Sequence, residues 1–94
     1  MTPLHWAARL GRTALVECLL AAGADKDARD EDGVSPLHWA ATKEDPAVAA
    51  CLLAAGADKK AKDDDGRTPL HRAKIARHTA VVALLARAGA NTKG

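Results

Sequence analysis

The chain is predicted to be an all-α solenoid of helix-turn-helix units with projecting β-turns or hairpins. Three observations lead there. The phrase Thr/Ser-Pro-Leu-His begins at Thr2, Ser35 and Thr68, a step of 33 residues each time. A second phrase, ending Gly-Ala-Asp, keeps that step around Gly23 and Gly56 and loosens to Gly-Ala-Asn around Gly89. The apolar content of 48% is mostly Ala, Leu and Val, with Trp6 and Trp39 as the two aromatic residues. Small side chains of this kind suit closely spaced helices. A fixed period of this length marks a stacked array in which each unit buries its apolar face against its neighbours. One domain over residues 1–94 is expected, with repeats at about 2–34, 35–67 and 68–94.

The elements follow in order within each unit. Thr2-Pro3 opens a helix over 3–10, and a second helix over 13–22 stops before Gly23. In the middle unit, the Ser35 hydroxyl caps a free backbone N–H, and Pro36 at the first helical position gives up no hydrogen bond. Leu37, Ala40 and Ala41 then share one face of a helix over 36–43. Asp45-Pro46 repeats the cap-plus-proline signal and opens a helix over 46–55, with Val48, Cys51, Leu52 and Ala55 on its inner side. Gly56 ends it, because a left-handed residue after the cap costs Gly almost nothing. The third unit repeats the pair over 69–76 and 79–88. Between units the chain turns polar, and Asp30–Gly33 and Asp63–Gly66 read as projecting tips. Leu19, Leu52 and Leu85 are expected to form a continuous buried ridge.

Composition excludes several classes. No run approaches 18 apolar residues, so no transmembrane helix is indicated. Met1-Thr-Pro-Leu-His lacks the basic and apolar regions of a signal peptide, and a cytoplasmic protein is expected. The net charge of +2 hides an asymmetry: residues 1–65 hold 8 Lys/Arg against 12 Asp/Glu, whereas residues 66–94 hold 6 Lys/Arg and no acid.

The unit pattern resembles the ankyrin repeat. That motif runs Asp-x-x-Gly-x-Thr-Pro-Leu-His-x-Ala-Ala, then Gly-His between the helices, then an apolar second helix ending in Gly-Ala-Asp. Residues 30–61 match at Asp30, Gly33, Ser35, Pro36, Leu37, His38, Ala40, Ala41, Leu52, Leu53, Gly56, Ala57, Asp58 and Ala61. The inter-helix pair departs from it, as Gly11-Arg12, Glu44-Asp45 and Arg77-His78. In the third copy Arg72 stands in the place of Trp6 and Trp39, Lys74 in that of Ala8 and Ala41, and Ala86 in that of Leu20 and Leu53. Such polar rewriting is expected of a terminal cap.

Chemistry-bearing residues are absorbed by the period. His5, His38 and His71 are equivalent, but helices stacked about 8–10 Å apart cannot bring three imidazoles to the ~2.1 Å that one zinc requires. Hydrogen bonds to the capping Thr/Ser or nearby backbone are expected instead. Cys18 and Cys51 are also equivalent, with Leu84 third, and are expected to be buried free thiols. The acidic tips lack the flanking carboxylates of a calcium loop: Ala28 and Trp39 stand there in one copy, Ala61 and Arg72 in the other. The catalytic motifs tested are absent, so no enzyme, metal or cofactor is expected.

The resemblance implies a protein-binding module whose contacts come from the tips and first helices. Carried over by position, these are Arg9 and Leu10; Arg29, Glu31, Asp32, Val34, Thr42 and Lys43; and Lys62, Asp64, Asp65, Arg67, Ile75 and Ala76. Trp6 and Trp39 fall where the family places a large apolar residue, and are assigned to packing. The disfavoured alternative is nucleic acid or an anionic ligand on Arg67, Arg72, Lys74, Arg77 and His78, a set without stacking aromatics. A third reading is a structural fragment of a longer array. The first copy keeps Leu4, Trp6 and Leu10 without polar rewriting, so self-association through that end is expected at high concentration. The other end is expected to resist association, since Arg72, Lys74 and Arg77 would lack partners there.

Overall fold

A computed structural model describes residues 2–93, with side chains described through Ala88. Its helices come in three pairs: α1 Pro3–Arg9 and α2 Thr13–Ala21, α3 Pro36–Thr42 and α4 Pro46–Ala54, α5 Pro69–Ala76 and α6 Thr79–Lys93. There is no strand among the described residues. The first helix of each pair packs on the next first helix, α1 on α3 and α3 on α5, and the second helices do the same. Two helical rows result, with the core between them.

Each first helix begins with the expected cap. The Thr2 hydroxyl accepts from the His5 amide at 3.3 Å, and His5 Nδ1 accepts from the Thr2 amide at 3.2 Å. Ser35 and His38 repeat this at 3.4 and 3.2 Å. It is a reciprocal capping box in which His takes the part usually played by Glu or Gln. Because Nδ1 accepts, the ring proton belongs on Nε2, and Nε2 donates across the repeat boundary. His5 reaches the Val34 carbonyl at 2.7 Å, and His38 the Arg67 carbonyl at 2.8 Å. In the third copy the Thr68 hydroxyl still caps the His71 amide, but the ring is exposed. His5 and His38 are thus both helix caps and links between repeats.

At the ends of α2 and α4, Gly23 and Gly56 adopt φ +91° and +89°. The next amides, of Ala24 and Ala57, reach back to the Leu19 and Leu52 carbonyls, closing a Schellman motif. Between paired helices the same left-handed position falls on Gly11, Glu44 and Arg77, with φ +69°, +52° and +62°. Here the sequence departs from the motif, and the backbone does not. α6 differs from expectation, running to Lys93 rather than stopping at 88. After Gly23 and Gly56 an Asp turn follows, with Asp25 capping the Asp27 amide and Asp58 the Lys60 amide. Asn91 replaces that Asp, and a lone interior Gly costs a helix only ~1 kcal/mol.

Leu4, Leu37, Val16, Val48, Val81, Leu52 and Leu85 fill the core, with alanines at 7, 8, 40, 41, 49 and 73 where the helices approach. The leucine ridge is present, with Leu19 partly buried. Two expectations need correction. Leu4 is 1% exposed, because it belongs to the core cluster. The large exposed apolar residues of the first copy are Trp6, Leu10 and Leu15. Leu15 is equivalent to the fully buried Val48 and Val81. The thiols are not fully buried either: Cys18 is exposed, and Cys51 is half-buried at the edge of the core. Partial burial, with Glu17 beside it, pushes the Cys51 thiol upward.

Candidate functional site

The turns are built by aspartates. Asp30 Oδ1 accepts from the amides of Asp32 and Val34 at 2.9 and 3.0 Å, and Asp63 Oδ1 from those of Asp65 and Arg67, both at 2.9 Å. Each Asp amide returns a bond to the carbonyl four residues on. The two tips then stack. The Asp64 amide donates to the Asp32 carbonyl at 3.0 Å, and Arg29 Nη1 donates to the carbonyls of Gly33 and Lys62. Gly33 has φ +74°, and a Cβ there would lie 2.5 Å from Asp64 Oδ1 and 3.0 Å from its amide nitrogen. Only glycine satisfies both the turn and the close approach.

The other carboxylate oxygen reaches the first helix. Asp63 Oδ2 accepts from Arg72 Nε at 2.7 Å, and Nη2 of the same guanidinium completes the pair. One repeat earlier, Trp39 occupies the place of Arg72 and Asp30 that of Asp63. The Trp39 indole N–H is buried and turned toward the Asp30 carboxylate without closing a hydrogen bond. Arg72 is therefore not a solvated capping change, as expected, but a charged donor to the Asp that an indole otherwise faces. The first-helix row also carries an aromatic–cation contact. The Arg9 guanidinium lies 5.0 Å from the Trp6 ring centroid and 5.6 Å from that of Trp39. Trp6, assigned to packing, is 47% exposed.

Titration follows these contacts. Burial pushes the Asp63 carboxyl up, but the Arg67 amide and the Arg72 guanidinium outweigh it and hold it below 3.8. At Asp30 burial is likewise outweighed, chiefly by the Val34 and Asp32 amides. Burial of the His38 imidazole holds it below 6.5, with the bond to the Arg67 carbonyl opposing.

Between the tips and the first helices lies a groove in two connected parts. One part is lined by Asp30, Glu31, Asp32 and Trp39; the other, of about 380 Å³, shares Asp30, Asp32 and Trp39 and adds Val34, Asp64, Asp65 and Arg72. Of the candidates taken from sequence, Glu31, Asp32, Asp64 and Asp65 therefore converge. Arg9, Leu10, Arg29, Lys43, Lys62, Arg67, Ile75 and Ala76 are exposed elsewhere on the tips and first helices. Thr42 is partly buried, its hydroxyl donating to the His38 carbonyl at 2.9 Å. Val34 also borders the groove, but its expected exposure is corrected: it is 5% exposed, and its carbonyl takes the His5 bond. Asp30, Trp39 and Arg72 were missed. The sequence signal was an Asp nine residues ahead of Trp39 in one copy and of Arg72 in the next. Of the basic set, Arg72 is tied to Asp63, and His78 Nδ1 bonds the Ala41 carbonyl at 2.8 Å.

Residues 4–93 match the family of ankyrin repeats, in three copies. The chain belongs to the ankyrin-repeat family. Ankyrin repeats are in general protein-interaction modules rather than enzymes. A 34-residue stretch of this ankyrin domain is 56% identical to part of Palmitoyltransferase Hip14 from Drosophila melanogaster. That stretch is 36% of the chain and 5% of the length of Hip14, so the similarity reaches a small part of that protein. Among the described residues no helix is long and apolar enough to cross a membrane, and no group of His, Cys, Asp and Glu could hold a metal ion.

Proposed function

We propose that the chain acts as a single three-repeat domain that binds another protein through its turn tips and first helices. The contacts are drawn from Arg9, Leu10, Arg29, Glu31, Asp32, Thr42, Lys43, Lys62, Asp64, Asp65, Arg67, Ile75 and Ala76. One observation carries the reading. This face keeps a groove and exposed large side chains, Trp6 at 47%, Leu10 at 60% and Ile75 at 56%, that the stack does not use for its own packing. Exposed aromatic and aliphatic anchors beside polar rims are what protein interfaces draw upon. A cytoplasmic setting fits the two free thiols. The test is selection of peptides from a random displayed library on the wild-type domain, followed by rebinding to Arg9→Glu/Ile75→Glu. Loss of rebinding by at least tenfold supports the reading, and unchanged rebinding rejects this face.

A second reading has its own observation. Leu15 is 45% exposed where the equivalent Val48 and Val81, in repeats that have a repeat before them, are fully buried. We propose self-association through this end of the stack, where Leu10 and Leu15 are exposed.

A further inference from the structure

The groove is acidic beyond what the stack needs. Asp63 is paired with Arg72, and the other ion pair among the described residues joins Lys26 to Asp27. Asp30, Glu31, Asp32, Asp64 and Asp65 thus line the groove with no ion pair, and the one cation in its lining, Arg72, is committed to Asp63. Five carboxylates converge in a chain whose net charge is +2. Their fields add within a partly enclosed cleft, which draws in the opposite charge.

The acids are not arranged as a metal site, since no group among the described residues could hold an ion. What stands beside them is an aromatic ring, because Trp39 borders both parts of the groove. Within the chain these rings already meet a guanidinium. Arg9 already places its guanidinium over both Trp6 and Trp39. Indole is the best aromatic partner for a guanidinium, and a planar guanidinium also pairs with carboxylates in forked geometry. A volume of about 380 Å³ lies at the lower end of the ~300–1,000 Å³ range of ligand sites. That leaves room for one long side chain.

We propose that the groove bordered by Trp39 and rimmed by Asp30, Asp32, Asp64 and Asp65 seats an arginine side chain of a basic peptide segment of the partner. The guanidinium stacks on the indole and is held by the rim carboxylates. This rests on the binding face put forward above, and it adds the sign and chemistry of the partner. A polyanion is repelled at the same place.

The test uses the whole domain and a defined probe, an acetylated nonapeptide of alternating glycine and arginine. Controls are the same peptide with lysine, serine or glutamate for arginine, and a single-stranded oligonucleotide. Trp6→Phe leaves Trp39 as the sole tryptophan, so its fluorescence reports on the groove directly. Expected is saturable binding of the arginine peptide with a shift in Trp39 emission, at least threefold tighter than the lysine peptide. The serine, glutamate and oligonucleotide probes should leave Trp39 emission unchanged. Asp32→Asn/Asp64→Asn/Asp65→Asn spares the Asp30 and Asp63 turn bonds and should weaken arginine-peptide binding at least tenfold. Trp39→Leu, shown by circular dichroism to be folded, should weaken it at least threefold. Arginine-peptide binding that ignores both variants overturns the proposal. If the arginine peptide fails to bind but library peptides shift Trp39 emission, the cation inference falls and the binding face stands. If nothing binds this face, both fall.

Discussion

Replacing Asp63 separates the two tasks of its carboxylate. Oδ1 holds the amides of Asp65 and Arg67, and Oδ2 holds Arg72, with the Asp63 side chain 1% and the Arg72 side chain 24% exposed. Asp63→Ala leaves both amides and the guanidinium short of an acceptor. Breaking a buried pair by removing one partner costs about 3–5 kcal/mol, and the partial exposure of Arg72 places the expected loss near the lower value. A domain of this size has about 5–14 kcal/mol in all, so the variant should lose a large share of its stability. Asp63→Asn keeps an oxygen for the turn amides but turns its NH2 toward the Arg72 guanidinium, which cannot accept, so the bond to Arg72 is lost at a cost of about 1.5–3 kcal/mol. Arg72→Leu, made in both the wild-type and Asp63→Asn backgrounds, should return a coupling of about 1–3 kcal/mol. The assay is urea unfolding at pH 7 and 25 °C. Because the folded Asp63 carboxyl lies below 3.8, its contribution is present above that pH. It is lost as pH falls through the lower, folded value. Zero coupling between Asp63 and Arg72, with Asp63→Asn as stable as wild type, would refute this reasoning.

Four more outcomes are expected. The folded His38 lies below 6.5, so the unfolded chain binds the extra proton. Stability should therefore fall as pH drops from about 7.5 through 6.5, by at most ~1.4 kcal/mol per pH unit from this residue, and His38→Gln should flatten the profile of urea midpoints. Leu52→Ala, at a fully buried site of the central repeat, should cost about 2–5 kcal/mol in the same assay, and an unchanged midpoint would contradict the packing. Glu44→Gly and Arg77→Gly, each at a left-handed position, should each stabilise by ~0.5–1 kcal/mol in thermal unfolding, since the strain relieved exceeds the entropy added. Sedimentation over a wide concentration range should show wild-type association that Leu15→Glu abolishes; a wild type that stays monomeric would remove the self-association reading.

The backbone architecture was legible because it depends on signals that recur at a fixed step. Ser35-Pro36 and Asp45-Pro46 mark helix starts, and Gly23 and Gly56 mark ends. The helix at Gly89 runs on because Asn91 stands where Asp25 and Asp58 build the turn that follows the other two glycines. The groove was half legible. Its acidic tips stand out, but their pairing with Trp39 and Arg72 depends on which atom of each aspartate is left over after the turn is capped. Composition and period do not specify that. Val34 is harder to read: it stands next to an exposed tip, yet it is buried and its carbonyl takes the histidine link.

Chemical-shift mapping of the isotope-labelled domain with a bound, library-selected peptide tests the binding face most directly. The largest changes are expected at the amides of residues 9, 10, 31, 32, 64, 65 and 75 and at the Trp39 indole N–H, with the outer side of the second helices, including Glu17, Cys18 and Ala50, unperturbed. Changes concentrated on that outer side, with the tips and first helices silent, would contradict the assignment of the binding face.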